Sequence, residues 1–400
     1  MERYQPLAQS VYNGPSPNYI NARKLRRPRK LDENWRPENF IYGGGSLEAP
    51  GEPVTPGVLS GTGFSVPGAP SDDPYAVTDN LDGRRLALGR WIADQKNPLT
   101  ARSIVNRIWQ HHFGVGIVAT PNNFGVKGAK PTHPELLDWL AADFMEHGWS
   151  LKRLHRQIMT SEAWRQSSRR DAAREQVDPD NRLFSRQNLR RLEAEAIRDA
   201  LLAVSGKLNP KLYGPPVPIT YNPEGQIVVG VDTTDSSGRP TGEYIALNGE
   251  EFRRSIYVQV RRSRPLDLLA AFDAPNMTEA NCDVRTATTV SPQSLLLMNY
   301  VGMREFAYYF AERLRTEHAN DIRRQIEEAW RLAYGRLPDA DDRAFAAEFV
   351  RAQTAFYQEH PAKREHVLAP EEQENAPADL LGLAVLCQAL ISANEFLYID

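Results

Sequence analysis

The sequence has little cysteine: its 400 residues include only two, Cys282 and Cys387, which lie far apart. Isolated cysteines exclude a disulfide framework, a cysteine-rich zinc site and a self-contained iron–sulfur cluster. Neither cysteine belongs to a C-x-x-C-H motif, so no haem is attached covalently to this sequence. We therefore expect no cofactor in this chain.

Long apolar runs are also missing. The most apolar stretch, Leu380 to Ile391, is shorter than the roughly 20 residues that a membrane-spanning helix needs. The first residues do not show the basic region and apolar core of a secretory signal peptide. The formal net charge of −3 gives no general attraction to nucleic acid. We expect neither a membrane span nor a nucleic-acid partner, and the common nucleotide-binding and nucleophile-elbow motifs do not occur.

What is present is an ordinary globular composition, with 41% hydrophobic and 25% charged residues. Eleven of the 29 prolines lie in residues 1–80, which also contain the triplet Gly43-Gly44-Gly45. Proline fixes φ and lacks an N–H donor, so this segment is predicted to be an extended arm or linker. Apolar residues recur at helical spacing from residue 81 onward. The sequence predicts a mainly α, multi-helix globular bundle over residues 81–400.

Capping signals place several of these helices. Asn97 and Pro98 predict the start of a helix that Gly114 ends, and Thr132 with Glu135 has capping-box spacing before another. Further helices are predicted over residues 190–205, from Ser291 through residue 310, and over residues 379–392. Between residues 213 and 262 the pattern becomes β-rich at 226–231 and 255–260. We predict a small antiparallel β insertion there.

The densest group of polar residues is Asn106, Arg107, Gln110 and His111. On a helix, Asn106 and Gln110 stack at i and i+4, and Arg107 and His111 do the same beside them. Such a face suits a carboxylate, a sulfate or sugar hydroxyls, with His111 as a catalytic proton carrier. The alternative is that these side chains bond loop carbonyls and a neighbouring helix. His112 falls on an apolar stripe and is predicted to be a core histidine.

Three residues elsewhere are predicted to join this site if folding brings them near His111: Asn122, His133 and Glu193. Adjacent histidines do not share a helical face and no H-E-x-x-H occurs, so we expect no metal site. Glu193 lies in the charged segment 190–199, where carboxylates alternate with arginines. Such a pattern is typical of a salt-bridged helix face, here with Arg191 opposite Glu195, although paired carboxylates can also perform acid–base chemistry.

Several strings together carry a family resemblance. They occur in this order: NPLTAR at 97–102, NRIWQHHFG at 106–114, TPNNFG at 120–125, PTHPELLDWL at 131–140, RRLEAE at 190–195, YGRLP at 334–338 and SANEF at 392–396. The chain resembles domain-of-unknown-function family 1553, a planctomycete-type module found C-terminal to c-type cytochrome domains. The resemblance implies an extracytoplasmic setting, periplasmic or at the cell surface, and upstream domains of the same polypeptide as partners. It places haem in such an upstream domain and supplies no activity.

Three functions stay open at this point. The first is an accessory module that binds a carbohydrate or anionic ligand beside a cytochrome. The second is a hydrolase acting on complex or sulfated carbohydrate, with His111 as acid or base and Asn106, Arg107 and Gln110 holding an anionic group. The third is a purely structural helical module. Whether the chain is an enzyme is not decided by its sequence.

Overall fold

The computed structural model describes residues 39–46, 48–78, 81–222, 225–233, 235, 241, 245–261, 264–275, 285, 287–319, 321–367 and 376–399. The chain divides into two compact units, residues 1–165 and residues 166–400. This boundary falls inside the predicted helical region. The described residues form thirteen α-helices and three two-stranded antiparallel sheets, which confirms the mainly α fold class.

The elements are numbered in chain order. The helices are α1 Leu81–Ala93, α2 Thr100–Phe113, α3 Pro134–Glu146, α4 Leu151–Thr160, α5 Ala172–Val177, α6 Ala194–Val204, α7 Asp267–Ala271, α8 Ser291–Asn299, α9 Val301–His318, α10 Ile322–Tyr334, α11 Ala340–Glu359, α12 Ala378–Ser392 and α13 Asn394–Leu397. The strands are β1 Asn39–Tyr42, β2 Pro50–Val54, β3 Arg190–Arg191, β4 Ile219–Tyr221, β5 Ile227–Val229 and β6 Tyr398–Ile399.

In the first unit, the described part of the arm begins with β1 paired to β2. Trp91 connects the arm to α1, because its indole Nε1 donates a hydrogen bond to the Phe64 carbonyl at 3.0 Å and the two rings stack. Trp91 is buried together with Val66 and Val77. The arm therefore has a small apolar cluster of its own. Residues 1–38 of the predicted arm lie outside the described residues.

Helix α2 begins and ends close to where the capping signals predict, and α3 begins close to its predicted start. The Asn97 side chain accepts hydrogen bonds from the N–H groups of Leu99 and Thr100, and Gly114 ends α2 at φ 83°. The predicted capping box before α3 does not form. The Thr132 hydroxyl instead donates to the carbonyl of Ile117 at 3.3 Å, because that segment packs beside the start of α3.

The second unit is built around α12, which is buried on nearly all sides by α9, α10 and α11. Such all-round burial explains the apolar run from Leu380 to Ile391. No helix in the described part of the chain combines the length and the apolarity that a bilayer crossing requires. The predicted long helix from Ser291 is interrupted at Tyr300, whose extended backbone separates α8 from α9.

The predicted antiparallel insertion is present, but with different strands. β5 pairs with β4, in the register Ile219 with Val229. The prediction of a strand over 255–260 is wrong, because Ser255–Tyr257 is a 3-10 helix. Polar groups of α6 hold this segment: the Asp199 carboxylate accepts from the Ser255 N–H at 2.6 Å, and Arg198 donates to the Arg253 carbonyl at 2.8 Å.

The predicted helix start at residue 190 is also wrong. Arg190 and Arg191 form β3, which pairs with β6, and the Leu192 N–H donates to the Leu397 carbonyl at 2.7 Å. These bonds keep the chain extended until Glu193, the residue that precedes α6. The helix consequently begins at Ala194.

Candidate functional site

The polar face predicted on α2 is only partly available to a ligand, because Asn106 points into the protein interior. Asn106 is 0% exposed. Its amide nitrogen donates to the Val118 carbonyl at 3.0 Å, and its amide oxygen accepts from the Val118 N–H at 2.8 Å. A Cβ on Gly116 would lie 2.7 Å from the same amide, so glycine is needed there. Asn106 fixes the segment that follows α2, and a ligand would have to displace both bonds.

Two of the other predicted residues do meet. The Arg107 guanidinium donates a hydrogen bond to the side-chain oxygen of Asn122. Gln110 is half-buried and His111 is exposed. His133 precedes α3, and its Nδ1 lies 2.9 Å from the Thr132 hydroxyl. A role in binding or catalysis for these side chains stays a prediction.

His112 makes a contact that the sequence did not predict. Its Nε2 lies 2.8 Å from Nδ1 of His155 on α4, so one imidazole donates and the other accepts. The edge of its ring also packs against Trp164. His112 is half-buried rather than a fully enclosed core residue. No sequence signal identifies His155, because its pairing depends on how α4 crosses α2.

A larger concave site lies in the second unit, beside α6. This cavity, the α6 cavity, has a volume of about 730 Å³, within the range of small-molecule sites. It lies among α6, the 3-10 helix Ser255–Tyr257 and α7. Its lining combines six charged side chains with apolar ones: Glu193, Glu195, Asp199, Arg254, Arg261 and Arg285, with Ile256, Val258, Val260, Pro265, Leu266 and Leu269 among the apolar groups.

Five of the six charged side chains that line the α6 cavity form ion pairs with one another. Arg285 Nη1 lies 3.0 Å from Glu193 Oε2 and 2.6 Å from Glu195 Oε2, and its Nη2 donates to Glu195 Oε1 at 3.2 Å. Arg254 Nε donates to Asp199 at 3.0 Å. A bidentate contact such as that of Arg285 with Glu195 fixes the orientation of both partners. The cavity therefore presents fixed donors and acceptors with little net charge.

A buried arginine holds the wall opposite α6. Arg198 is almost fully buried and donates to the carbonyls of Arg253 and Glu251, at 2.8 and 2.6 Å, and to the Ser255 hydroxyl at 3.3 Å. Burial lowers its pKa from the ordinary arginine value. Because these bonds hold the Arg253 carbonyl and the Ser255 hydroxyl, on either side of Arg254, Arg198 positions a cavity residue without itself lining the cavity.

Arg253 braces the same wall from behind. It is fully buried, donates to the carbonyls of Tyr213 and Pro215 at 2.6 and 3.2 Å, and stacks its guanidinium 4.0 Å from the Tyr257 ring centroid. Its side chain therefore joins the segment 213–215 to the 3-10 helix Ser255–Tyr257.

A third arginine, Arg191, joins residues 272–273 to Thr288. Arg191 donates to the Phe272 carbonyl at 2.9 Å and to Asp273 Oδ2 at 2.7 Å, and Asp273 also accepts from the Thr288 N–H and hydroxyl. Burial opposes ionisation of Asp273, but the bonds from Thr288 and Arg191 outweigh it and lower its pKa. The predicted pair of Arg191 with Glu195 is wrong because residue 191 is not helical.

Of the predicted site residues, Glu193 is the one that lines the α6 cavity. The others belong to the first unit. The sequence signal for this site was the alternation of carboxylates and arginines at 190–199. This alternation indicates a salt-bridged face, and the partners Arg254 and Arg285 come from segments far along the chain. Those pairings cannot be read from local spacing.

The described cysteine and the possible metal-ligating groups can be located directly. Cys387 is fully buried among apolar residues, and burial raises the pKa of its thiol. Among the described residues no group of three or more histidine, cysteine or carboxylate side chains is arranged to hold a metal ion.

Comparison with known proteins gives one result. The model of the PSD1 family, described as a protein of unknown function (DUF1553), matches residues 84–350. That range covers parts of both compact units, including α2 and the α6 cavity. Neither the search of curated proteins nor the search of solved structures finds a significant match.

Proposed function

The chain belongs to the PSD1 family (DUF1553), whose description gives no function, and we propose from the α6 cavity that the chain is an accessory module. This module binds a neutral, polyhydroxylated ligand of the carbohydrate class. The observation that carries this proposal is the lining. Fixed carboxylates and guanidinium groups stand beside the apolar side chains Ile256 and Val260, which are 75% and 68% exposed.

The chemistry of a sugar matches both parts of this lining. Hydroxyl groups donate to carboxylate oxygens such as those of Glu195 and accept from guanidinium N–H groups such as those of Arg285. The C–H face of a pyranose ring would cover the apolar wall at Ile256 and Val260. A neutral ligand is favoured over a polyanion, because Glu193, Glu195 and Asp199 would face any anion that reached the arginines.

The test is a screen of thermal stability against neutral and sulfated oligosaccharides. A ligand that binds only the native state at about a hundred times its Kd stabilises a protein by roughly 2.7 kcal/mol. We expect a neutral glycan to raise Tm, and Glu195→Gln and Arg285→Gln to abolish that rise. Glu317→Gln is the matched control, because Glu317 pairs with Arg313 on α9 and does not line the cavity.

His111→Ala and Arg107→Ala decide between this cavity and the face of α2. A Tm rise that survives Glu195→Gln but is lost in either α2 variant would move the site to α2 and contradict the proposal. No rise with any glycan would favour the purely structural module.

A hydrolase is the second candidate, and one contact favours it. Glu193 and Glu195 both approach Nη1 of Arg285, so their nearest oxygens are no more than about 6 Å apart. Carboxyl groups about 5–5.5 Å apart act together in retaining glycosidases. An enzyme would release new reducing ends from a bound glycan, and Glu195→Gln would stop that release. A binding module would leave the glycan intact.

The setting is a separate proposal that rests on the resemblance alone. We propose that the module works outside the cytoplasm, joined to a haem-carrying domain of the same polypeptide. Fractionation of the native cell with haem staining of the fraction that contains this chain tests both parts. A cytoplasmic fraction without haem would contradict them.

A further inference from the structure

A second cavity in the residue 166–400 unit has a different chemistry from the α6 cavity. It has a volume of about 300 Å³ and lies among α9, α10, α11 and α12. We call it the α12 cavity. Its polar lining includes Arg315, Arg351 and Asp379, and its apolar walls include Ile322, Val350 and Leu383.

The arginines of the α12 cavity keep hydrogen-bonding capacity. Arg351 uses Nε to donate to the Ala347 carbonyl of its own helix at 3.1 Å, and its terminal nitrogens have no hydrogen-bond partner among the described residues. Arg315 approaches Asp379 only to 3.7 Å, which is too long for a hydrogen bond. In the α6 cavity, by contrast, Arg254 and Arg285 already make short bonds to carboxylates.

The balance of charges selects the kind of anion. Two guanidinium groups and one carboxylate leave a net charge of +1 at the α12 cavity. Asp379 lies in the first turn of α12, where the helix dipole also favours negative charge. A monoanion neutralises this net charge, whereas a dianion such as sulfate exceeds it and is repelled by the Asp379 carboxylate. The apolar walls at Ile322, Val350 and Leu383 need a hydrocarbon portion in the same ligand.

We propose that the α12 cavity binds a small organic monocarboxylate. The carboxylate lies between Arg315 and Arg351, because the guanidinium group matches carboxylate geometry with two parallel N–H donors. The hydrocarbon portion contacts Val350 and Leu383. This site is independent of the function proposed for the α6 cavity.

The probe is hexanoate, titrated calorimetrically into the full chain, with acetate, sulfate and hexanol as comparison ligands. We expect hexanoate to bind at least about tenfold more tightly than acetate, because each methylene buried against the apolar walls adds affinity. We expect it to exceed both hexanol and sulfate, since hexanol lacks the charge and sulfate lacks the hydrocarbon portion. Glu195→Gln should leave hexanoate binding unchanged.

Four variants complete the test. Arg351→Gln and Arg315→Gln should each weaken hexanoate about tenfold or more, whereas Arg323→Gln, an exposed arginine of α10 paired with Glu327, should not. Ala355→Leu keeps both arginines and narrows the cavity, so it should also weaken binding. The proposal is overturned if hexanoate does not bind, if hexanol or sulfate binds as tightly, or if Arg323→Gln has the same effect as Arg351→Gln.

Discussion

The buried amide of Asn106 allows a sharp test of whether α2 carries a site or a structural clamp. Asn106→Ala removes one donor and one acceptor, and it leaves both the N–H and the carbonyl of Val118 without their present partners. Val118 is 3% exposed, so solvent cannot readily replace them. A buried polar group left unsatisfied costs about 1–3 kcal/mol. We expect Asn106→Ala to lower the free energy of unfolding by about 2–4 kcal/mol in total.

Urea denaturation measures this change, and hydrogen exchange locates it. The Val118 amide should lose protection in Asn106→Ala, because its hydrogen-bond acceptor is gone. Asn122→Ala is the matched control: Asn122 is exposed and bonds Arg107, so its loss should cost less than about 0.5 kcal/mol. A free energy of unfolding unchanged by Asn106→Ala, combined with loss of a bound glycan, would refute the clamp and restore the ligand-binding interpretation.

Three further predictions concern other parts of the chain. A hydrogen bond from Arg153 lowers the pKa of Asp143 despite partial burial, so the stabilisation that Asp143 provides is complete above the ordinary aspartate pKa and is lost as pH falls. The difference in the free energy of unfolding between the wild type and Asp143→Asn should therefore narrow from about pH 6 to about pH 3. A difference that stays constant over this range would contradict the prediction. Gly382→Ala places a Cβ 2.6 Å from the Thr354 hydroxyl and 2.9 Å from the Thr354 backbone nitrogen, so urea denaturation should show a free energy of unfolding that is lower by about 1–3 kcal/mol. An unchanged free energy of unfolding would show that α11 and α12 can move apart at no cost. Cys387 should resist iodoacetamide in the native chain and react once urea unfolds it, because burial raises its thiol pKa; rapid labelling of the native protein would show that α12 is accessible.

The local signals in the sequence predict helix ends well. Ser150 caps α4 by accepting from the Arg153 N–H, and Asp339 caps α11 in the same way. Gly114 and Gly335 take positive φ at the ends of α2 and α10. These features depend on a few neighbouring residues, so the sequence is sufficient to place them.

Features that depend on distant partners were not predictable in the same way. The segment 255–260 has the side chains of a strand, yet the carboxylate of Asp199 and the guanidinium of Arg198 bind its backbone and hold part of it as a 3-10 helix. The bonds from Arg285 to Glu195 join residues 90 positions apart. Sequence spacing carries no information about such tertiary contacts, and the walls of the α6 cavity depend on them.

The pairing of β3 with β6 has a consequence for the order of folding. The strand that leads into α6 finds its partner about 200 residues later, at Tyr398 and Ile399. During synthesis the segment before Glu193 has no strand to pair with until β6 leaves the ribosome. Glu193 and Glu195, at the start of α6, therefore acquire this support only after β6 has been synthesised, and the carboxylates of the α6 cavity are not fixed by it before then.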